Sequence, residues 1–407
     1  MKKKIGKLTP TMTFIILLGV VSMFSDITHE GASSIRGAYL SLLGASAATI
    51  GFVSGLGELV GYSLRFAFGV LTDKTKKYWS ITIIGYIIDV FAVPALALVG
   101  EHGWVMACFL LILERTGKAI KKPAKNTIVS FAASQEGAGK SFAIQEALDQ
   151  LGAFIGPVML YFVMLFKNGS QLSVYSTCFA VLAVPAALTI IMLFVAKSKF
   201  PNPENFEPEV ETDETGDKKG KFEFKNSFIV YIVAISLFAF GFIDFSLITM
   251  HVAKQGLFAE DKLPLLYAVA MLVDAFAALI FGQMYDKKGV RSLVWSTAIS
   301  ALFSIFIFGF NSKWATMAGV ILWGVGMGAQ ESVLKAVVAN ILPKKNRAAG
   351  YGIFEFSFGV FWFLGSWLIG VLYDVSVVAL IAVSVGAQLL SIPFYIYQAK
   401  ERLREVG

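Results

Sequence analysis

Along this chain, apolar runs alternate with short clusters of Lys, Asp, Gly and Pro, and the alternation recurs about a dozen times. A helix rises ~1.5 Å per residue, so crossing a ~30 Å hydrocarbon layer takes roughly 20 mostly apolar residues. That ruler predicts spans near residues 12–42, 47–72, 79–99, 104–125, 141–166, 173–196, 227–251, 263–284, 292–310, 314–340, 348–373 and 376–397. They must be helices, because an open sheet cannot satisfy its backbone in lipid. The opening MKKK precedes a first span that is too long and too interrupted by charge for a cleavable signal peptide, so it is read as retained.

One long polar segment breaks the pattern: "KSKFPNPENFEPEVETDETGDKKGKFEFKN", Pro- and Glu-rich and without apolar periodicity. It divides the chain into an N-terminal six-helix bundle (1–196), a cytoplasmic linker (197–226) and a C-terminal six-helix bundle (227–407). The basic residues fix the orientation. With both termini inside, Lys2, Lys3, Lys4 and Lys7, the loops after the second, fourth, eighth and tenth spans, the linker and the C-terminal tail hold most of the Lys and Arg. Only Lys167, Lys254, Lys262 and Lys313 fall outside. A cell (inner) membrane protein with cytoplasmic termini is expected.

Composition agrees: 56% of residues are hydrophobic and 15% charged, and mean hydropathy is +0.69, outside the range of soluble domains. The net charge of +7 follows from the basic inner loops and gives no reason to expect a nucleic-acid partner. Cys108 and Cys178 fall within spans with neither metal-ligand nor redox spacing, and read as packing residues. No nucleotide-binding loop, HExxH or Ser-centred Gly elbow points to an enzyme.

The halves echo one another. Gly69-Val-Leu-Thr-Asp73-Lys after the second span returns as Gly282-Gln-Met-Tyr-Asp286-Lys after the eighth. Asp26 in "FSDIT" is mirrored by Asp244 in "FIDFS", and Glu146 and Gly156 of the fifth span match Glu355 and Gly365 of the eleventh. Such an internal duplication predicts an all-α membrane protein of about twelve transmembrane helices in two pseudo-symmetric six-helix bundles, with a substrate site at the seam.

These residues resemble the major facilitator superfamily of secondary transporters. Gly69, Leu71, Asp73, Lys74, Lys76 and Lys77 are similar to its Gly-x-Leu-x-Asp-Arg-x-Gly-Arg-Lys loop, with Lys replacing Arg, and Gly282, Asp286, Lys287, Gly289 and Arg291 form a weaker copy. "LERTGKAI" resembles the antiporter motif Arg-x-x-Gln-Gly, keeping Arg115 but with Lys118 and Ala119 in place of Gln and Gly. Gly152-Ala-Phe-Ile-Gly156-Pro157 matches the Gly-x-x-x-Gly-Pro core associated with exporters. The resemblance covers nearly the whole chain. It implies alternating access, a central cavity lined by spans one, four, seven and ten, and a gate latched by Gly69, Asp73, Lys74, Lys77, Gly282 and Asp286 against a helix dipole.

Ionisable groups inside the spans cost roughly 2.5–3.5 kcal/mol each on insertion scales, so each needs a partner or water. Asp26 and Glu30 share one helical face, with His29 on its edge, and form the expected proton-coupling set. Glu114, Arg115 and Lys118 lie on one stripe of the fourth span. With Glu146, Asp149 and Gln150 of the fifth span, Asp244 of the seventh and Glu331 of the tenth, they form the expected substrate-binding set. Arg115 is the expected partner of the proton carrier. Asp274 and Lys335 are further candidates. Lys121, Lys122 and Lys125 are expected to reach the cytoplasmic surface by snorkelling. Asp89 reads as structural or facing Arg65, and Glu146 and Asp149 could neutralise Arg65. The run "FEFSFGVFWFLGSW" could wall a cavity for an apolar substrate.

Proton-coupled export of a small organic solute follows as the leading expectation, by a monomer surrounded by membrane lipids. No cofactor is expected, the proton serving as coupling ion, and no resident metal. An organic-anion or phosphorylated-metabolite transporter built on Arg115, Lys118 and Lys121, with uptake as its direction, stands as the alternative. A divalent-metal transporter using Asp26, His29 and Glu30, joined by Asp244 or His251, is a further one.

Overall fold

The structure is a computed structural model that describes residues 8–206, 226–342 and 347–406. Most of the predicted linker and the lysines of the N-terminal tail lie outside the described residues. In the first half, α1 (Pro10–Ser33) and α2 (Arg36–Leu42) make the first span, followed by α3 (Ala47–Thr75), α4 (Tyr78–Ala95), α5 (Trp104–Glu136) and α6 (Ala138–Phe166). The sixth span is α7 (Gln171–Val181) with α8 (Ala183–Lys199). In the second half, α9 (Asn226–Gly241) and α10 (Phe245–Gln255) form the seventh span, α11 (Leu263–Lys288) the eighth, and α12 (Arg291–Ser300) with α13 (Phe303–Phe308) the ninth. The last three are α14 (Lys313–Ile341), α15 (Arg347–Val375) and α16 (Val377–Val406). Eleven of these twelve spans are long and apolar enough to cross a membrane. The other, α5, is 33 residues long and carries Glu114, Arg115 and Lys118 in its body.

The sequence predicted the first and seventh spans as continuous helices, and both are broken. α1 ends at Ser33 and the chain restarts at Arg36. α9 ends at Gly241, and Asp244 caps α10, its carboxylate accepting from the Ser246 N–H at 2.8 Å. A break frees carbonyls that lipid cannot satisfy. Here Ser384 and Gln388 of α16 donate to the Gly241 carbonyl at 2.7 and 3.1 Å, and the Trp323 indole donates to that of Ile243 at 2.8 Å. Asp244 therefore sits in its break, whereas Asp26 lies about two turns before Ser34. The two match in sequence and not in structural position.

Glycine positions carry the pseudo-symmetry better. A methyl group on Gly156 would lie 2.4 Å from the Ile27 carbonyl oxygen of α1, and one on Gly365 would lie 2.1 Å from that of Phe240 in α9. The fifth span packs on the first, and the eleventh on the seventh, backbone to backbone at equivalent points. Large apolar side chains left uncovered, among them Phe162, Phe166, Phe194, Trp314 and Val378, are surface that lipid would cover.

The two bundles meet tightly on the face opposite the termini. The Arg36 Nε donates to Ser246 Oγ at 2.8 Å, the Ala48 N–H to Asp374 at 3.2 Å, and Lys262 Nζ to the Tyr161 hydroxyl at 3.3 Å. A methyl on Gly37 would fall 1.7 Å from the Ser246 carbonyl oxygen. On the half nearer the termini, no hydrogen bond or ion pair links the bundles among the described residues. On that half the contacts between the bundles are apolar: Phe66 of α3 lies 3.5 Å from where a methyl on Gly352 of α15 would stand.

Candidate functional site

Charged side chains within the spans separate into two assemblies. The first is buried inside the N-terminal bundle. α4 and α5 cross so closely that a methyl on Gly117 would lie 2.4 Å from the Asp89 backbone nitrogen, and one on Gly85 would lie 2.5 Å from that of Lys121. This crossing brings Asp89 and Lys121 together as an ion pair. Lys121 Nζ also donates to Ser25 Oγ at 2.7 Å and lies 4.0 Å from the centre of the Tyr86 ring. His29 enters from α1, its Nε2 2.8 Å from Asp89 and its Nδ1 3.0 Å from Glu114. Neither approach is aligned along a ring N–H, so the two carboxylates bracket the ring without a directed hydrogen bond.

This placement changes several expectations. His29 faces α4 and α5 instead of joining Asp26 and Glu30. It precedes Glu30 by one residue, and one residue turns a helix by about 100°. Glu114, 3% exposed, faces His29 and not the seam. Lys121, expected to snorkel, is 6% exposed because Asp89 holds it. Asp89 meets His29 and Lys121 rather than Arg65, which lies over the Tyr62 ring at 4.7 Å.

The second assembly lines the seam. Glu30 lies 3.8 Å from Lys118 of α5 and accepts a 2.5 Å hydrogen bond from the Tyr267 hydroxyl of α11, in the other bundle. The side chains of Glu30 and Lys118 are 20% and 21% exposed. Arg115 pairs with Glu58 of α3 at 2.9 Å, in space that Gly57 leaves beside it, and also lies 3.8 Å from Glu114. Arg115 thus has its own carboxylate, and Lys118 is the base that meets Glu30. From α6, the Gln150 amide donates at 3.2 Å both to Glu146 and, across the seam, to Asp274 of α11. Asp26 faces α6, its Cβ 3.1 Å from where a methyl on Gly152 would stand. Asp149 lies one turn before that glycine. Glu331 is exposed on α14, and its charge bears on Asp274. The side chain of Lys335 lies outside the described residues.

Two other predicted groups lie elsewhere. Asp244, expected in the cavity, caps α10 and sits 3.8 Å from Arg36 at the sealed face. In the gating motif, Asp73, Lys74, Lys77 and Asp286 are exposed and make no ion pair among the described residues, while Gly69 and Gly282 leave room of 3.9 Å beside Pro123 and Ser332. The aromatic run of α15 is spent on packing: Phe358 meets Tyr62, and Phe363 and Trp367 meet Phe52 across the seam. Tyr267, Ser246 and Arg36 were missed, since a lone hydroxyl or a cation near a span end carries no spacing signal.

Among the described residues, only His29, Asp89 and Glu114 offer ligand atoms close enough for one metal ion, all within 4.8 Å of one another. The carboxylates flank opposite nitrogens of the ring, and Lys121 occupies Asp89. That is the geometry of a clamped imidazole rather than a chelate.

A helical bundle duplicated about a polar seam, latched by polar contacts at one end, is the architecture of a membrane transporter. The model of the Major Facilitator Superfamily matches residues 11–289 and 244–405, and the chain belongs to that family. It is 35% identical over 394 residues to an uncharacterized protein of Mycobacterium tuberculosis, covering 96% of this chain and 94% of that one. It is 25% identical over 368 residues to an uncharacterized MFS-type transporter of Methanocaldococcus jannaschii, covering 89% of each. In fold it is similar to a bacterial homolog of the human lysosomal transporter Spinster in an inward-facing, unoccupied conformation, with a TM-score of 0.70, 13% identity and 97% of both chains covered.

Proposed function

We propose that this protein is a secondary active transporter that exports a small organic solute from the cytoplasm in exchange for protons, with Glu30 as the carrier and Asp26 as its neighbour. The observation that carries the reading is the position of Glu30. One carboxylate is held by Lys118 of its own bundle and by Tyr267 of the other, at a partly exposed point of the seam. Protonating it removes the charge that Lys118 pairs with, so the proton state of one group alters a tie within a bundle and a tie between bundles. With both termini cytoplasmic, as the basic loops indicate, the Arg36–Ser246 latch closes the outside.

The organic-anion alternative loses ground because Arg115, Lys118 and Lys121 each have a carboxylate within 4 Å. Metal carriage by Asp26, His29 and Glu30 loses it because His29 turns to Asp89 and Glu114, and His251 bonds Tyr373 instead.

The test is uptake into proteoliposomes with an imposed pH gradient, using ethidium, glucose and lactate as cationic, neutral and anionic probes. One of them should accumulate, the accumulation should collapse with a protonophore, and Glu30→Gln should uncouple it. Full coupling in both Glu30→Gln and Asp26→Asn would refute the carrier assignment.

A further inference from the structure

Near the outer face the bundles are joined at two points that share their supports. Arg36 of α2 donates to Ser246 of α10, and Glu30 of α1 accepts from Tyr267 of α11. On the N-terminal side both points belong to one break: Glu30 stands in the last turn of α1, its carbonyl accepting from the Ser34 N–H at 3.1 Å, and Arg36 opens α2. On the C-terminal side a ring contact joins them. Tyr267 is 5% exposed, and its ring lies edge-on to Phe245, with 4.7 Å between centroids and 73° between planes. Phe245 is the first residue of α10 and the neighbour of Ser246. It also meets Trp323 at 4.9 Å, whose indole bonds the Ile243 carbonyl in the break. Charge gathers at the same place: Glu30, Arg36 and Asp244 all bear on the Tyr267 hydroxyl.

Glu30 has further company. Asp26 and His29 bear on it from its own helix, Arg115 and Lys118 from α5, and Asp274 from α11, while Asp149 of α6 bears on Asp26. Tyr267 differs from all of them in both bonding Glu30 and packing its ring on the broken seventh span. A hydroxyl bonds an ionised carboxylate roughly twice as strongly as a neutral acceptor, so this tie is firm while Glu30 is charged and slack once a proton sits on it. Packed side chains have discrete arrangements and do not stretch, so a Tyr267 that leaves Glu30 removes the edge on which Phe245 rests.

We infer that Tyr267 is a positioning residue that carries the proton state of Glu30 to the Arg36–Ser246 latch by way of Phe245, holding the outer face closed while Glu30 is charged. The inference rests on the carrier role proposed for Glu30 and adds the route by which that group governs the gate. An exchanger needs such a lock, because an unloaded carrier that reopened outward on its own would leak protons.

The test reads the outer face as the labelling rate of Ala38→Cys by a hydrophilic maleimide, in the full chain in detergent and in a background lacking Cys108 and Cys178. Rates are taken from mildly acidic to mildly alkaline buffer, and each is divided by the rate of the denatured protein at the same pH, which removes the titration of the thiol itself. The parent should label about three- to thirtyfold faster at the acid end, the margin between a hydroxyl bonded to a carboxylate and to a carboxyl. Tyr267→Phe keeps the ring on Phe245, and Phe245→Leu keeps the hydroxyl on Glu30. Each should flatten the profile, as should Glu30→Gln, with thermal melting confirming that the variants are folded. A flat parent profile, or a slope that survives in Tyr267→Phe or in Phe245→Leu, overturns the inference. Proton-coupled uptake that Glu30→Gln abolishes, beside a slope that outlives Tyr267→Phe, would sink the route alone. Slopes lost in all three variants, beside uptake still coupled in Glu30→Gln, would sink the carrier alone.

Discussion

Replacing Gly37 by alanine should prevent the sealed face from closing. In this conformation the added methyl would stand 1.7 Å from the Ser246 carbonyl oxygen, 2.5 Å from its carbon and 2.6 Å from Thr249 Oγ1, where ordinary contact begins at 3.4 Å. Two of the three obstacles are backbone, so no rotamer change relieves them, and α2 and α10 must separate by more than an ångström. Overpacking of this kind costs about 1–3 kcal/mol, which shifts a two-state balance about five- to hundredfold toward the state in which this face is open. A cysteine at Ala38, 4% exposed on the same short helix, reports the change in a background lacking Cys108 and Cys178. A membrane-impermeant maleimide should label it slowly in the parent and about five- to hundredfold faster with Gly37→Ala. Labelling at the parent rate would mean that the close approach of α2 and α10 is no part of the gate.

Other outcomes follow from the same geometry. Arg36→Ala removes the hydrogen bond to Ser246 and the charge near Asp244, and should speed labelling at the same cysteine by about tenfold, the worth of a bond to a charged donor; an unchanged rate would discount the latch. His29→Leu removes the ring between Asp89, which keeps Lys121, and Glu114, which keeps Arg115, and should destabilise the N-terminal bundle by about 1–3 kcal/mol, seen as a fall in melting temperature in detergent; a neutral result would show the triad to be dispensable. Gly156→Leu sets a side chain where a methyl alone would already be 2.4 Å from the Ile27 oxygen, so size-exclusion profiles should lose the monodisperse peak; a normal profile would refute the backbone contact.

The number of spans and their approximate places were legible in the sequence because membrane burial writes them in apolar run length, although α5 runs on to Glu136 and α16 to Val406, past the apolar stretches that marked them. The partition of charge was not. Spacing correctly put Asp26 and Glu30 on one side of α1, but it says nothing of what that side meets. Asp89 reads as structural or facing Arg65; its place inside the bundle is structural, but the partner is Lys121, brought in by the close α4–α5 crossing at Gly85 and Gly117. Asp244 was matched to Asp26 by its flanking residues, yet a helix break shifts it to the gate. Contacts across the bundles, such as Tyr267 with Glu30, join residues more than two hundred positions apart, and no local pattern encodes them.

The two assemblies differ in a way that separates scaffold from machinery. In the dry one, Lys121 pairs with Asp89 and donates to Ser25, and His29 lies between Asp89 and Glu114, all within a single bundle. These contacts need not change when the bundles move, and breaking them would strand buried charge. The assembly therefore suits a body that rocks as a unit. At the middle of the seam, the cross-bundle ties among the described residues are one tyrosine hydroxyl on Glu30 and an amide shared between Glu146 and Asp274. In the proposed cycle, ties that few let the bundles part when a proton takes the place of Lys118 and Tyr267 on Glu30. On that proposal an exchange of partners, rather than the mere presence of charge in the membrane, couples the proton to the motion.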